Sequence, residues 1–272
     1  MNDIYSSKAN CDIAIYGSSR AWVHIDPAII GNSLQQRVYN FGIDGHNFWL
    51  QYLRHLELLK YNDKPKKIIL SLDIFSLEKR PDMFHSDQFL PYMLLNKNVR
   101  KFTSSYVGYD LPDYYVPLLR YAGKTQALNN SIHIALSGAP KSKYRQSGYR
   151  GVDAAWNNDL AAAKAKKSSY EVRLDQQSVV LFEAFIQECK AMEIQLVMVY
   201  SPEYIEGQKF VSNRKQIMDL YNDISQKHHI ALYDYSSDSI CFDKSMFYNA
   251  SHLNKTGSGI FSRKLGHDLK AN

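Results

Sequence analysis

The segment Cys11-Asp-Ile-Ala-Ile-Tyr-Gly-Ser-Ser-Arg20 constrains this chain more than any other. Its apolar run breaks at Gly17, the pattern of a buried strand running into a tight turn. Trp22, Val23, Ile25 and Ile29 follow at helix-compatible spacings, so Ser18 and Ser19 stand where a strand gives way to a helical segment. In an open parallel sheet that junction is the carboxyl edge, where ligands bind. A helix amino end there offers N–H groups to an anion or a developing oxyanion. The purely structural reading of the same residues is a strand-to-helix turn with a serine N-cap.

The pattern continues in the same rhythm. Arg37-Val-Tyr-Asn-Phe-Gly-Ile-Asp-Gly45 reads as a second strand and a glycine-bearing loop. Trp49, Tyr52, Leu53, Leu56 and Leu59 recur at three and four, which predicts an amphipathic helix. Residues 67–73 form an apolar run expected to be buried on both faces. Strand, helix, strand, helix, strand within the first 75 residues points to βαβ units and a parallel sheet.

From 78 to 175 the rhythm stops. Tyrosines are dense there, and Pro81, Pro91, Pro112, Pro117 and Pro140 break the segment into short pieces. A stretch of this length rarely stays structureless inside a compact domain, so it is expected to be a helical insertion that caps or lids the sheet. A helix carrying Val179, Phe182, Ile186 and Cys189 resumes the alternation. Strands are expected at 195–200 and 230–234, with a helix between them from about 212 to 228. No internal repeat or low-complexity tract is present.

With 272 residues and 45% hydrophobic content the chain can bury one large core, so a single domain over 1–272 is expected. Lys and Arg total 33 against 27 Asp and Glu; the excess is scattered, with short runs only at 64–67 and 164–167, and reads as solvated surface. No zinc-finger spacing, Gly-rich phosphate loop or RNA-binding aromatic motif occurs, so nucleic acid is not an expected partner. Three cysteines make no CxxC pair and cannot close a disulfide framework; Cys11 and Cys189 fall on apolar faces. His228 and His229 lack a nearby carboxylate cluster, so no metal is expected, nor any cofactor. No apolar run approaches a membrane span. The first strand begins about ten residues from Met1, which leads us to expect a signal or anchor segment upstream.

Near the other end, Phe247-Tyr-Asn-Ala-Ser-His-Leu-Asn-Lys-Thr-Gly257 precedes an amphipathic run with Ile260, Phe261, Leu265 and Leu269 on one face. A histidine just before a glycine and a final helix is placed to serve as base for a serine near the start, since serine is a weak nucleophile until a neighbouring base takes its proton. Gly17-Ser18-Ser19 and His252 together resemble the first and last blocks of the SGNH (GDSL-type) hydrolase superfamily. The resemblance implies a three-layer α/β sandwich, flavodoxin-like, with five parallel strands in the order 2-1-3-4-5. It makes Ser19 the nucleophile and His252 the base. Asn249 stands where the family has its acid; Asp243 and Asp234 are the nearest alternative carboxylates in sequence.

The family's oxyanion hole takes N–H groups from the nucleophile, Ser19, and from a second-block glycine, here Gly42 or Gly45, with Gly45 preferred. Its third block is normally an asparagine, where this chain has Asp73. An ionised carboxylate only accepts hydrogen bonds and would repel an oxyanion, so Asp73 is expected in the hole's position, or orienting Arg20 or Ser19, or ending its strand structurally. Arg20, Ser18 and Asn254 are the substrate-binding candidates, with Arg20 either at the pocket floor facing an anionic or sugar group or paired with Asp44 or Asp73. Tyr106, Tyr109, Tyr114 and Tyr115 are candidates either to stack on sugar rings or to pack under the cap.

The Gly-Ser-Ser-Arg variant is similar to the branch of extracytoplasmic acyl-transfer proteins of the cell envelope. This implies an extracytoplasmic location and an acylated glycan or small ester as substrate. Two functions follow: a serine esterase or O-acyltransferase, or a glycan- or partner-binding protein on the same fold with weakened chemistry. Fold alone does not choose between them.

Overall fold

The computed structural model describes residues 1–83, 85–138 and 145–271; Pro140 lies outside them. Strands β1 (Ile13–Tyr16), β2 (Val38–Asn40), β3 (Lys67–Leu72), β4 (Gln195–Tyr200) and β5 (Leu232–Asp234) form one parallel sheet in the order β2-β1-β3-β4-β5. Register is continuous across its centre: Ile15 pairs with Ile69 and Ile69 with Val197. This is the order that the resemblance implies, and the three-layer arrangement is the one expected.

Helices α1 (Asn2–Tyr5), α2 (Ser19–His24), α3 (Pro27–Leu34) and α4 (Phe48–Tyr61) belong to the first half of the chain. The insertion carries α5 (Lys97–Thr103), α6 (Thr125–Ser137) and α7 (Asp159–Lys166), with 3-10 turns between them. Helices α8 (Gln176–Ala191), α9 (Ile205–Lys209), α10 (Arg214–His228) and α11 (Lys255–Ala271) complete the fold. No helix among the described residues is long and apolar enough to cross a membrane.

Because side chains alternate across a strand, each central strand feeds two cores. Ala14, Tyr16, Ile68, Leu70, Met198 and Tyr200 face α4, α8 and α10, meeting Phe48, Phe182, Phe185, Ile217 and Tyr221. Ile13, Ile15, Ile69, Val197 and Val199 face the other way, onto Ala21, Ile30, Phe261 and Leu265 of α2, α3 and α11. Burial on both faces is why these strands read as unbroken apolar runs. Cys11, Cys189 and Cys241 are buried free thiols.

The insertion divides in two. Residues 86–121 cover the outer face of α4, where Phe89, Phe102, Tyr106, Tyr109 and Tyr114 pack on Leu50 and Leu53. At roughly 1.5–3 kcal/mol for each fully buried large apolar side chain, that exposed face of α4 is reason enough for the aromatic half to settle there. Its return arm, residues 145–175, runs back across the carboxyl edge. There Arg150 N–H bonds to the Trp22 carbonyl and Asn157 N–H to the Tyr248 carbonyl, at 3.1 and 2.8 Å.

Candidate active site

Gly17 ends β1 with φ +148, and a Cβ there would lie 2.8 Å from the Ser71 carbonyl oxygen of β3 and 2.7 Å from Ala21 Cβ. Only glycine fits this turn, which delivers Ser19 as the first residue of α2. The facing side comes from a hairpin that the sequence pattern did not predict. Strands β6 (Phe247–Asn249) and β7 (His252–Leu253) pair antiparallel with Asn249 opposite His252. Strands of three and two residues are too short to show a period-2 signal.

His252 Nε2 lies 2.7 Å from Ser19 Oγ. On the far side of the ring, His252 Nδ1 is 2.9 Å from Asn249 Oδ1. The Ser251 N–H donates to the same Oδ1 at 3.0 Å, which fixes the amide with its oxygen toward the histidine. An amide oxygen can only accept, so Nδ1 carries the proton and Nε2 offers its lone pair to the Ser19 hydroxyl. That is the tautomer a general base needs. Tyr248 stacks on the ring at 5.3 Å.

His24 ties the two sides together. The Leu253 N–H donates to His24 Nε2 at 3.0 Å, so His24 Nδ1 carries the proton and donates to Ser201 Oγ at 2.8 Å. A buried neutral histidine of α2 thus holds β7, and His252 with it, beside the serine.

Of the two roles open to Arg20, substrate anchor or partner of a carboxylate, its surroundings favour the second. It does line the floor of the site, but its guanidinium sits 3.0 Å from Glu203 and 3.4 Å from Asp73, and also donates to the Ser201 carbonyl and hydroxyl oxygens. Its Cζ lies 4.6 Å from the centre of the Tyr200 ring. With two carboxylates already on it, Arg20 is a structural cation that anchors α2 to the end of β4. It is not a free anchor for a substrate anion. Asp73 correspondingly is buried behind the serine against Arg20 and does not line the pocket. Burial, opposed by Arg20, pushes its carboxyl up to about 6.

The structure places the two other substrate-binding candidates, Ser18 and Asn254, away from the cavity. Ser18 is fully buried under the turn. Asn254 spends its side chain on the Gly257 N–H at 3.0 Å and the Ser245 carbonyl at 2.6 Å, fastening the start of α11. Neither lines the site. Asp243 and Asp234 accept from nearby backbone N–H groups, Ser245 and Ser236, as turn caps.

Gly45, with φ +65, lines the cavity beside Ser19. Gly42 does not: its N–H donates to Asn40 Oδ1, and a Cβ on it would lie 2.6 Å from the Trp22 nitrogen. The cavity measures about 500 Å³ and takes its apolar wall from Ile74, Phe75, Leu160, Ala163, Phe210 and Val211. Leu160 and Ala163 belong to the insertion's return arm, and Arg80 and Tyr170 contribute from its two ends. Tyr106, Tyr109 and Tyr114 are instead buried against α4, and Tyr115 is exposed; none lines the cavity.

Glu203, His24 and Asp159 were missed in the sequence. Glu203 follows β4 in Ser201-Pro-Glu-Tyr204, and its place at a strand's carboxyl end was the available signal. His24 and Asp159 carry no local signal, because their roles are set by contacts with residues 229 and 90 positions away. Among the described residues no three His, Cys, Asp or Glu side chains gather as a metal site would require.

Burial and Arg20 lower the His252 imidazole to about 4. Burial lowers His55 to about 4 and His24 well below its usual range. A histidine kept neutral in the fold stabilises it fully above its unfolded pKa of 6.5, and that contribution is lost as pH falls toward the folded value. Asp73 has the opposite sign, since its folded pKa is raised, so acidification below about 6 favours the fold through this one group. Three histidines against one aspartate predict a melting temperature that declines as pH falls from 6.5 toward 4, measurable by calorimetry at constant ionic strength. A flat or rising melting temperature across that window would contradict the assignment.

No family model and no curated protein matches the sequence. Solved structures do. A protein assigned to the G-D-S-L lipolytic family, from Desulfitobacterium hafniense DCB-2, aligns over 94% of this chain and 97% of its own at 12% identity and TM-score 0.46. The acetyl xylan esterase AlAXEase aligns over 95% and 98% at 10% identity and TM-score 0.46. A GDSL-like lipase from Bacteroides thetaiotaomicron VPI-5482 aligns over 95% and 87% at 10% identity and TM-score 0.40. Likeness at this level leaves the chemistry to be argued from the residues themselves.

Proposed function

We propose that the chain is a serine ester hydrolase of SGNH type, or an O-acyltransferase when a sugar hydroxyl replaces water as acceptor. The observation that carries this reading is the Ser19 hydroxyl 2.7 Å from a His252 whose tautomer is set by Asn249. Ser19 Oγ attacks the ester carbonyl while His252 Nε2 takes its proton, and the same proton then passes to the leaving alcohol oxygen. The Ser19 and Gly45 N–H groups are the oxyanion donors in this reading. Water or an acceptor hydroxyl then attacks the acyl-enzyme by the reverse proton path.

The apolar wall suits the acyl half of the ester, with the alcohol half toward Asp44 and Tyr248 on the polar side. An acylated glycan of the cell envelope is the substrate that the sequence resemblance suggests. Reaction of the purified chain with a fluorophosphonate probe, read by mass spectrometry, is expected to modify Ser19. Absence of both labelling and hydrolysis of p-nitrophenyl esters from acetate to octanoate would instead favour the binding-protein reading.

The wall also makes a specificity prediction. Ala163→Phe fills the acyl side and is expected to lower octanoate hydrolysis at least about tenfold relative to acetate, an effect of about 1.4 kcal/mol on the competing barriers. An unchanged ratio would move the acyl group elsewhere.

A further inference from the structure

The return arm of the insertion reaches behind the histidine. Its grip on the Tyr248 carbonyl through Asn157 brings Asp159, the first residue of α7, against β6. Asn249 Nδ2 donates to Asp159 Oδ2 at 3.4 Å, and Asn157 Nδ2 donates to the same oxygen at 2.7 Å. The Ser251 N–H already sets the amide's orientation, so Asp159 is not needed for that. What the amide lacks is charge. It holds the correct tautomer of His252 but does little for the imidazolium that forms when Ser19 loses its proton. A carboxylate receiving the amide N–H polarises it and makes its oxygen a stronger acceptor.

We propose that Asp159 is a positioning residue that acts through Asn249, supplying from the insertion the negative charge that the Ser19–His252 pair lacks at position 249. The inference rests on the esterase reading above.

Contact with Asn249, not the size of its field at His252, singles out Asp159 among the surrounding charges. Arg20 opposes a proton on His252, whereas Asp44, Glu203 and Asp159 favour it; His24, edge-on at 6.0 Å, is neutral. Glu203 is committed to Arg20 and Arg214, and Asp44 to Trp22 and His85. Among the described residues, Asp159 is the carboxylate in contact with Asn249, and both of its side-chain partners are neutral amides.

The test uses the intact chain and two readouts: the rate of fluorophosphonate modification of Ser19 at pH 7.5, and the NMR position of the His252 Nδ1 proton. Asp159→Asn keeps an acceptor but removes the charge. It is expected to slow labelling roughly fivefold, the size of one carboxylate acting across a short, partly screened distance, and to move the Nδ1 proton upfield. Asn249→Asp alone sets two carboxylates side by side, so one is held protonated. Combining it with Asp159→Asn is expected to restore labelling to the parent rate or above. A slowed Asp159→Asn that leaves the Nδ1 proton unmoved and is not rescued by the double variant would show a role in packing only and overturn the inference. An unchanged rate and proton position would overturn it as well. Should the parent chain itself fail to label, the esterase reading falls, and the proton position alone decides whether Asp159 acts through Asn249.

Discussion

Ser19→Ala is expected to abolish fluorophosphonate modification and to lower p-nitrophenyl acetate hydrolysis by at least about 10³-fold, with little change in melting temperature. In serine hydrolases that act through a complete triad, loss of the nucleophile costs on the order of 10⁶ in rate. The smaller figure here follows from the weaker starting point: His252 is lowered to about 4 and is backed by an amide. A base so far below neutrality is fully deprotonated at pH 7 but accepts a proton reluctantly. His252→Ala should reduce the rate comparably while leaving the serine hydroxyl in place. The fold should tolerate Ser19→Ala because, among the described residues, the lost hydroxyl's side-chain partner is His252, at the edge of the cavity. Hydrolysis that survived Ser19→Ala would show that another group does the chemistry.

The largest effect on stability is expected from Arg20→Ala. Removing the guanidinium leaves Asp73 and Glu203 buried beside each other's charge, with Arg214 remaining on Glu203 alone. Breaking a buried ion pair from one side typically costs about 3–5 kcal/mol, which for a chain of this size lowers the melting temperature by roughly 6–20 °C. Labelling of Ser19 should fall as well, even far below the melting point, since Arg20 fastens α2 to the end of β4 and so fixes where the serine stands. Thermal melts at pH 7.5 with labelling rates at 20 °C would separate the two effects. If stability were unchanged while only ligand affinity fell, Arg20 would be the substrate anchor that its position beside the serine first suggested.

The repeating elements of the fold were legible in the sequence because their causes are local or nearly so. Strands buried on both faces must be continuously apolar, and the covering helices must repeat their apolar positions at three and four, so β1, β3, β4, α4, α8 and α11 announce themselves. Ser19 was legible because Gly17 is a steric necessity where the chain passes Ser71. His252 was legible because it precedes the final helix in a pattern similar to a known family.

What only the tertiary structure decided are the partners of the charged groups. Arg20 could have faced substrate or a buried carboxylate. The convergence of β3, β4 and α2 placed Asp73 and Glu203 on it, and nothing in the residues adjacent to Arg20 encodes that choice. The insertion's composition called for burial of its aromatic side chains but did not say where. The open face of α4 took the tyrosines, and the shorter return arm was left to wall the site. The meeting of Asp159 with Asn249 joins residues 90 positions apart. A carboxylate in an alanine- and lysine-rich segment reads as ordinary solvated surface, and Asp159 stays exposed in the fold; what the fold adds is its contact with the hairpin, because the partners of a charge are set by what surrounds it and not by its neighbours in the chain.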